Sequence, residues 1–156
     1  MTNQSITIKK ATLQDIDPLI LLLKQLFSIE KDFTFDPLNH HKGLQLFMEG
    51  CGKHRVIKTA WWDSKLVGMG TAQTRISTVS GGIAVFFEDL VVDESFRGRG
   101  VGTAILNALE DWADKMGGTS MTLLADRENK PALKFYMAHG WNQTRMLGLV
   151  KKPFNP

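Results

Sequence analysis

The stretch EDLVVDESFRGRGVGTAIL, residues 88–106, constrains this chain more than any other. It ends an apolar run, IAVFFEDLVV (83–92), that reads as a buried strand. A glycine-rich turn follows. Val101, Ala104, Ile105, Ala108, Leu109 and Trp112 then recur at the spacing of an amphipathic helix, which ends at Gly117-Gly118. SMTLLA (120–125) reads as a second strand. Strand, helix and strand in that order make a βαβ unit with two parallel neighbouring strands.

The rest of the chain is read around that unit. ITIKKA (6–11) alternates as a strand. Thr12 opens a helix with Asp15 as its capping-box acid. Leu13, Ile16, Ile20, Leu23 and Phe27 form its apolar stripe, widened by Leu21 and Leu22. A loop leads to a short helix that starts at Asp36-Pro37 and ends at Gly50 and Gly52. HRVIKTAWW (54–62) and KLVGMGTAQTRIS (65–77) form a hairpin across Asp63-Ser64, placing Trp61 and Trp62 on opposite faces. ENKPALKFYMAHG (128–140) is a helix capped near Asn129, and RMLGLVKK (145–152) is a closing strand. The expected order is β-α-α-β-β-β-α-β-α-β, an α/β fold with a mixed sheet in a single domain over 1–156.

The glycine turn carries the chemistry. A helix start leaves N–H groups unpaired and bears partial positive charge. Glycines let an anion approach that backbone, so RGRGVG (97–102) reads as a phosphate cradle. A P-loop requires Gly-Lys-Ser/Thr, which is missing. The dinucleotide fingerprint requires G-x-G-x-x-G, whereas Gly98, Gly100 and Gly102 give G-x-G-x-G. A net charge of +3 fits an anionic ligand and falls short of a nucleic-acid footprint. The apolar run PLILLL (18–23) is too short to span a bilayer. His40, His41, His54 and His139 lack metal-ligand spacing. Cys51 is the sole cysteine, so no disulfide closes within the chain; it reads as structural and suits a cytoplasmic setting.

R-x-x-G-x-G at Arg97, Gly100 and Gly102 resembles the acetyl-CoA pyrophosphate motif of the GNAT superfamily of N-acetyltransferases. NKPALKFYMAHGW (129–141) resembles that family's second coenzyme signature through Asn129, Ala132, Phe135, Tyr136 and Gly140. The Glu88-Asp89 pair looks most like the polyamine and thialysine acetyltransferases. The resemblance implies a bulge in the strand 83–92 that splays it from its parallel neighbour, and acetyl-CoA as co-substrate; no metal is expected. It places Leu90, Val91 and Val92 along the pantetheine arm, and Arg97, Gly98, Arg99, Gly100, Val101, Gly102 and Thr103 at the phosphates. Asn129, Ala132 and Tyr136 complete the coenzyme site.

Acetyl transfer to an amine needs a base, because neutralising an amine of pKa near 10.4 at pH 7 costs roughly 4–5 kcal/mol. Glu88 and Asp89 are the candidate bases. Strand alternation puts them on opposite faces and does not choose between them; the resemblance favours Glu88. Tyr136, the only tyrosine, falls at the family's general-acid position. The expected acceptor is a small primary amine, of polyamine, thialysine or amino acid, or aminoalkylphosphonate type. A protein N-terminus or lysine as acceptor, and a non-catalytic CoA-binding regulator, are the alternatives. The closing strand and the Trp-bearing hairpin offer a two-fold interface of the kind many members of the family use, so a homodimer is expected; nucleic-acid and membrane partners are not.

Overall fold

A computed structural model describes residues 5–49 and 52–151. Cys51, Gly50 and Lys152, which figure in the sequence reading, lie outside the described residues. The chain forms two compact units, divided between Leu123 and Leu124.

The first unit is a five-stranded sheet in the order β1 (Ile6–Lys10), β2 (Arg55–Trp62), β3 (Lys65–Ser77), β4 (Gly82–Val92), β5 (Gly118–Leu123). The first four strands form an antiparallel meander, and β5 pairs parallel to β4. The sheet is therefore mixed, and the βαβ unit stands where the sequence puts it. Its helix α3 (Val101–Lys115) buries Val101, Ile105, Leu106, Leu109 and Trp112. Its approach to β3 is close because Gly68 and Gly70 carry no side chain. A Cβ on Gly68 would lie 2.7 Å from Ile105, and one on Gly70 2.9 Å from Leu109.

Helices α1 (Ile16–Ile29) and α2 (Pro37–Met48) cover the opposite face. Their core joins Leu19, Leu22, Leu23, Leu26 and Leu44 to Ile57, Met69 and Val91 of the sheet. The stripe on α1 departs from the expected one. Leu13 and Leu21 are 65% and 63% exposed, while Leu19 and Leu26 are buried. Leu13 belongs to a separate 3-10 turn, Leu13–Asp15, whose tighter winding points it away from the face that α1 presents. The capping-box acid is in place, since Thr12 N–H donates to Asp15 at 2.7 Å. Asp36 caps α2 through the N–H groups of Leu38 and Asn39, ahead of Pro37.

The second unit contains α4 (Lys130–Ala138), capped by Asn129, whose side-chain oxygen accepts from Ala132 N–H at 3.2 Å. Residues 141–151 then run without regular structure, which corrects the expected closing strand at 145–152. Among the described residues, no strand pairs with that segment to meet its β-propensity. Met146, Leu147, Leu149 and Val150 are 71–93% exposed. No helix among the described residues is long and apolar enough to cross a membrane.

Candidate active site

The centre of the site is an extra residue in β4. Met69 faces Val91 and Thr71 faces Glu88, so two steps along β3 match three along β4. A Cβ on Gly70 would lie 3.1 Å from Leu90, so Leu90 holds the regular place opposite it and Asp89 is the inserted residue. Asp89 has φ +53°, the left-handed region that aspartate tolerates better than most side chains. This is a β-bulge.

The bulge corrects the expectation that Glu88 and Asp89 lie on opposite faces, because alternation fails at an inserted residue. Glu88 faces Thr71, whose hydroxyl donates to the Glu88 carbonyl at 3.0 Å. The Gln73 amide donates to the Glu88 carboxylate across a long 3.5 Å. Burial raises the Glu88 carboxyl above the ordinary range, and the Gln73 bond partly opposes it. Asp89 is pushed further, to about 7, first by burial, then by the negative charges of Glu88 and Glu30. A carboxyl poised near neutrality is a far stronger base than an ordinary one near 4.

Beyond the bulge, β4 leaves its parallel neighbour. Pairing with β5 runs from Ile83 to Phe87 and stops where β5 ends at Leu123. Among the described residues, 88–92 therefore have no parallel partner. Asp93 N–H donates to Val67 of β3, so by alternation the Val92 N–H is directed at the open edge. By the same alternation Leu90 and Val92 turn backbone to that edge, while Val91 pairs with Met69 of β3. Among their side chains, Val91 is buried in the α1 core.

The open edge leads into the glycine turn. Arg97 Nε donates to the Val92 carbonyl at 3.1 Å. Gly98 and Gly100 take φ +71° and +82°, and Gly100 caps α3. A Cβ on either glycine would meet nothing within 4 Å, so the turn faces open space. Ala104 N–H makes the first bond of the helix, to Gly100, and the amides of Val101 and Gly102 come before it. Thr103 stands in the same turn, which contains no acidic residue. Room, donors and positive helix end together fit a pyrophosphate.

The sequence reading did not find Gln73, Trp62 or Phe96 as parts of this surface. Gln73, opposite Phe86 in the register, reaches Glu88 diagonally through its side chain, and the Arg99 guanidinium lies over the rings of Trp62 and Phe96. Glu30, at the end of α1, acts on Asp89 through its charge.

In the second unit, Tyr136 lies on α4 with its ring edge-on to Phe135 at 5.3 Å and 6.1 Å from Trp141. Gly140 ends the helix at φ +84°. His139 Nδ1 bonds the Phe135 carbonyl, and His40 Nε2 accepts from Asp36 N–H. Both histidines thus serve local backbone groups.

Residues 23–141 match the family model described as the acetyltransferase (GNAT) family. An uncharacterized N-acetyltransferase from Methanocaldococcus jannaschii is 37% identical over 59 residues, covering 38% of this chain and 26% of that protein. The chain thus spans about a quarter of that relative's length. Glucosamine-6-phosphate N-acetyltransferase from Arabidopsis thaliana superimposes with a TM-score of 0.77 at 24% identity, covering 97% of this chain and 100% of that one. An aminoglycoside N-acetyltransferase in complex with CoA does so with a TM-score of 0.81 at 22% identity, covering 97% of each. At such identities these two structures establish the fold. With the family model spanning both signature segments, the chain belongs to the acetyltransferase (GNAT) family.

Proposed function

We infer that the chain is an acetyl-CoA-dependent N-acetyltransferase that transfers an acetyl group directly to a primary amine of a small molecule. The observation that carries this reading is the continuity of the bulge carboxyl, the open strand edge and the glycine turn. A carboxyl raised to about 7, a strand edge without a parallel partner among the described residues and a glycine turn at a helix start follow one another along the chain, which supports this reading.

The co-substrate supplies an activated acetyl group. The chain supplies the rest. Asp89, with Glu88 beside it, takes the proton that the acceptor ammonium must lose. The amine nitrogen then bonds to the acetyl carbon, and the carbon–sulfur bond breaks. Backbone N–H at the open edge of Leu90–Val92 bonds the acetyl oxygen as it gains charge. The Tyr136 phenol, assigned by its motif on α4, gives its proton to the leaving sulfur, and the second proton that the nitrogen sheds as the amide forms restores the phenol through solvent. Arg97 to Thr103 hold the phosphates, while Asn129 and Ala132 support the coenzyme from the start of α4.

The acceptor we favour is a polyamine, thialysine or similar cationic amine. Supporting this are the carboxylates of Glu30, Glu88 and Asp89, close enough that the first two act on the third. Aminoglycosides, substrates of a structural relative, are also cationic amines. The working unit is taken as one acetyltransferase domain in the cytoplasm. It is also taken as a homodimer, a reading supported by the exposed apolar run from Met146 to Val150. Light scattering at micromolar concentration should give twice the 17.5 kDa chain mass; the single-chain mass would refute the dimer.

The coenzyme assignment is tested by thermal unfolding. At a hundredfold excess over its Kd, acetyl-CoA should stabilise the chain by about 2.7 kcal/mol. That corresponds to a rise in Tm of roughly 5–10 °C. No rise with acetyl-CoA or CoA would remove the coenzyme site from the account.

A further inference from the structure

Arg99 belongs to the glycine turn, yet its guanidinium rests on rings supplied by other segments. Its Cζ lies 5.4 Å from the Trp62 ring centre at the end of β2 and 5.3 Å from that of Phe96 in the 3-10 turn after β4. The two rings are 5.8 Å apart and tilted by 55°, forming a bent platform. Lys65 Nζ lies 4.8 Å from the Phe96 ring, but that charge is already matched by Asp93 at 3.3 Å. Among the described residues Arg99 has no carboxylate partner.

Stacking satisfies the flat face of a guanidinium and leaves its in-plane N–H donors available. That planar fork matches two oxygens of a phosphate. A loop arginine ordinarily loses rotamer freedom when it binds; one already seated on rings loses less. Arg97 is disposed differently, with Nε committed to Val92 at the open strand edge. The first-turn amides and Arg97 are thus placed for the pyrophosphate, whereas Arg99 is drawn aside toward the β2–β3 hairpin. Besides its pyrophosphate, coenzyme A carries one more strongly anionic group, the phosphomonoester on its ribose.

We propose that Arg99, seated on the Trp62–Phe96 platform, binds the ribose phosphomonoester and makes the chain distinguish coenzyme A from 3'-dephospho-coenzyme A. This rests on the acetyl-CoA reading above. Calorimetric titration of both coenzymes into the intact chain tests it. The wild type should bind coenzyme A more tightly by roughly 10- to 100-fold. Arg99→Ala should lose that preference by weakening coenzyme A alone, with dephospho-coenzyme A unchanged within about twofold of wild type. Arg99→Gln, which keeps most of the stem, should reproduce the loss. Trp62→Leu, which keeps the arginine but removes one ring, should lose part of the preference. Equal weakening of both coenzymes in Arg99→Ala, or a wild type without preference, would overturn the phosphomonoester assignment while leaving the acetyl-CoA reading intact. A wild type that binds neither coenzyme would overturn both.

Discussion

Tyr136→Phe is expected to lower kcat by roughly 10²–10⁴-fold while coenzyme affinity stays within about twofold. The substitution keeps the ring that packs against Phe135 and Trp141 and removes only the hydroxyl. The loss should fall on the chemical step, because a thiolate leaves more readily when a proton is given to it as the bond breaks. Single-turnover kinetics with the acceptor present separates that step from product release. A wild-type rate in Tyr136→Phe would make the phenol structural and assign thiolate protonation to water.

Asp89→Asn should cost a comparable factor in kcat, roughly 10²–10⁴-fold, and should change the pH dependence as well. Asparagine suits this position because it tolerates the left-handed backbone at φ +53°, so the bulge should persist. In the unfolded chain the aspartate loses its proton near 3.8, and in the fold near 7. Between those values the folded state holds a proton that the unfolded state has released. Stability therefore falls as pH rises from about 4 to about 7. If Asp89 is the base, its basic form appears over the upper end of the same range, so activity is expected to rise as stability declines. In Asp89→Asn the acid limb of the pH–rate profile should vanish. The variant should also be more stable than wild type at pH 8 and similar to it at pH 4, as followed by Tm. An acid limb that survives in Asp89→Asn and disappears in Glu88→Gln would move the base to Glu88.

How much of this was legible in the sequence depended on the range of the interactions. Local signals read well. Asp36-Pro37 marks the start of α2, Asn129 caps α4, and the spacing from Val101 to Trp112 gives α3 with its buried face. The βαβ reading followed from element order and yielded the parallel β4–β5 pair. The bulge was expected only through the family resemblance, because a period of two carries no mark of an inserted residue. Only the pairing with Met69 and Thr71 reveals that Asp89 is the extra one. That single insertion undid the argument that Glu88 and Asp89 face opposite ways. Leu13 misled for a similar reason, since apolar spacing does not distinguish a 3-10 turn from the helix that follows it. The segment 145–152 has strand composition, but a strand exists only with a partner, and composition does not supply one. The seat of Arg99 on Trp62 and Phe96 joins residues from a hairpin, a turn and a loop, and no window of sequence contains all three.

The claim that this site moves an acetyl group, rather than merely holding coenzyme, is tested most directly by one assay. Thiol release from acetyl-CoA is followed across a panel of diamines, polyamines, thialysine, aminoalkylphosphonates and aminoglycosides, with the acetylated amine weighed by mass spectrometry. The account predicts that at least one cationic small amine accelerates thiol release well above the amine-free rate, and that each thiol released is matched by one acetyl group on the amine. Binding of acetyl-CoA with no amine in the panel raising thiol release would contradict it, and would leave the chain as a coenzyme-binding protein without transfer activity toward small amines.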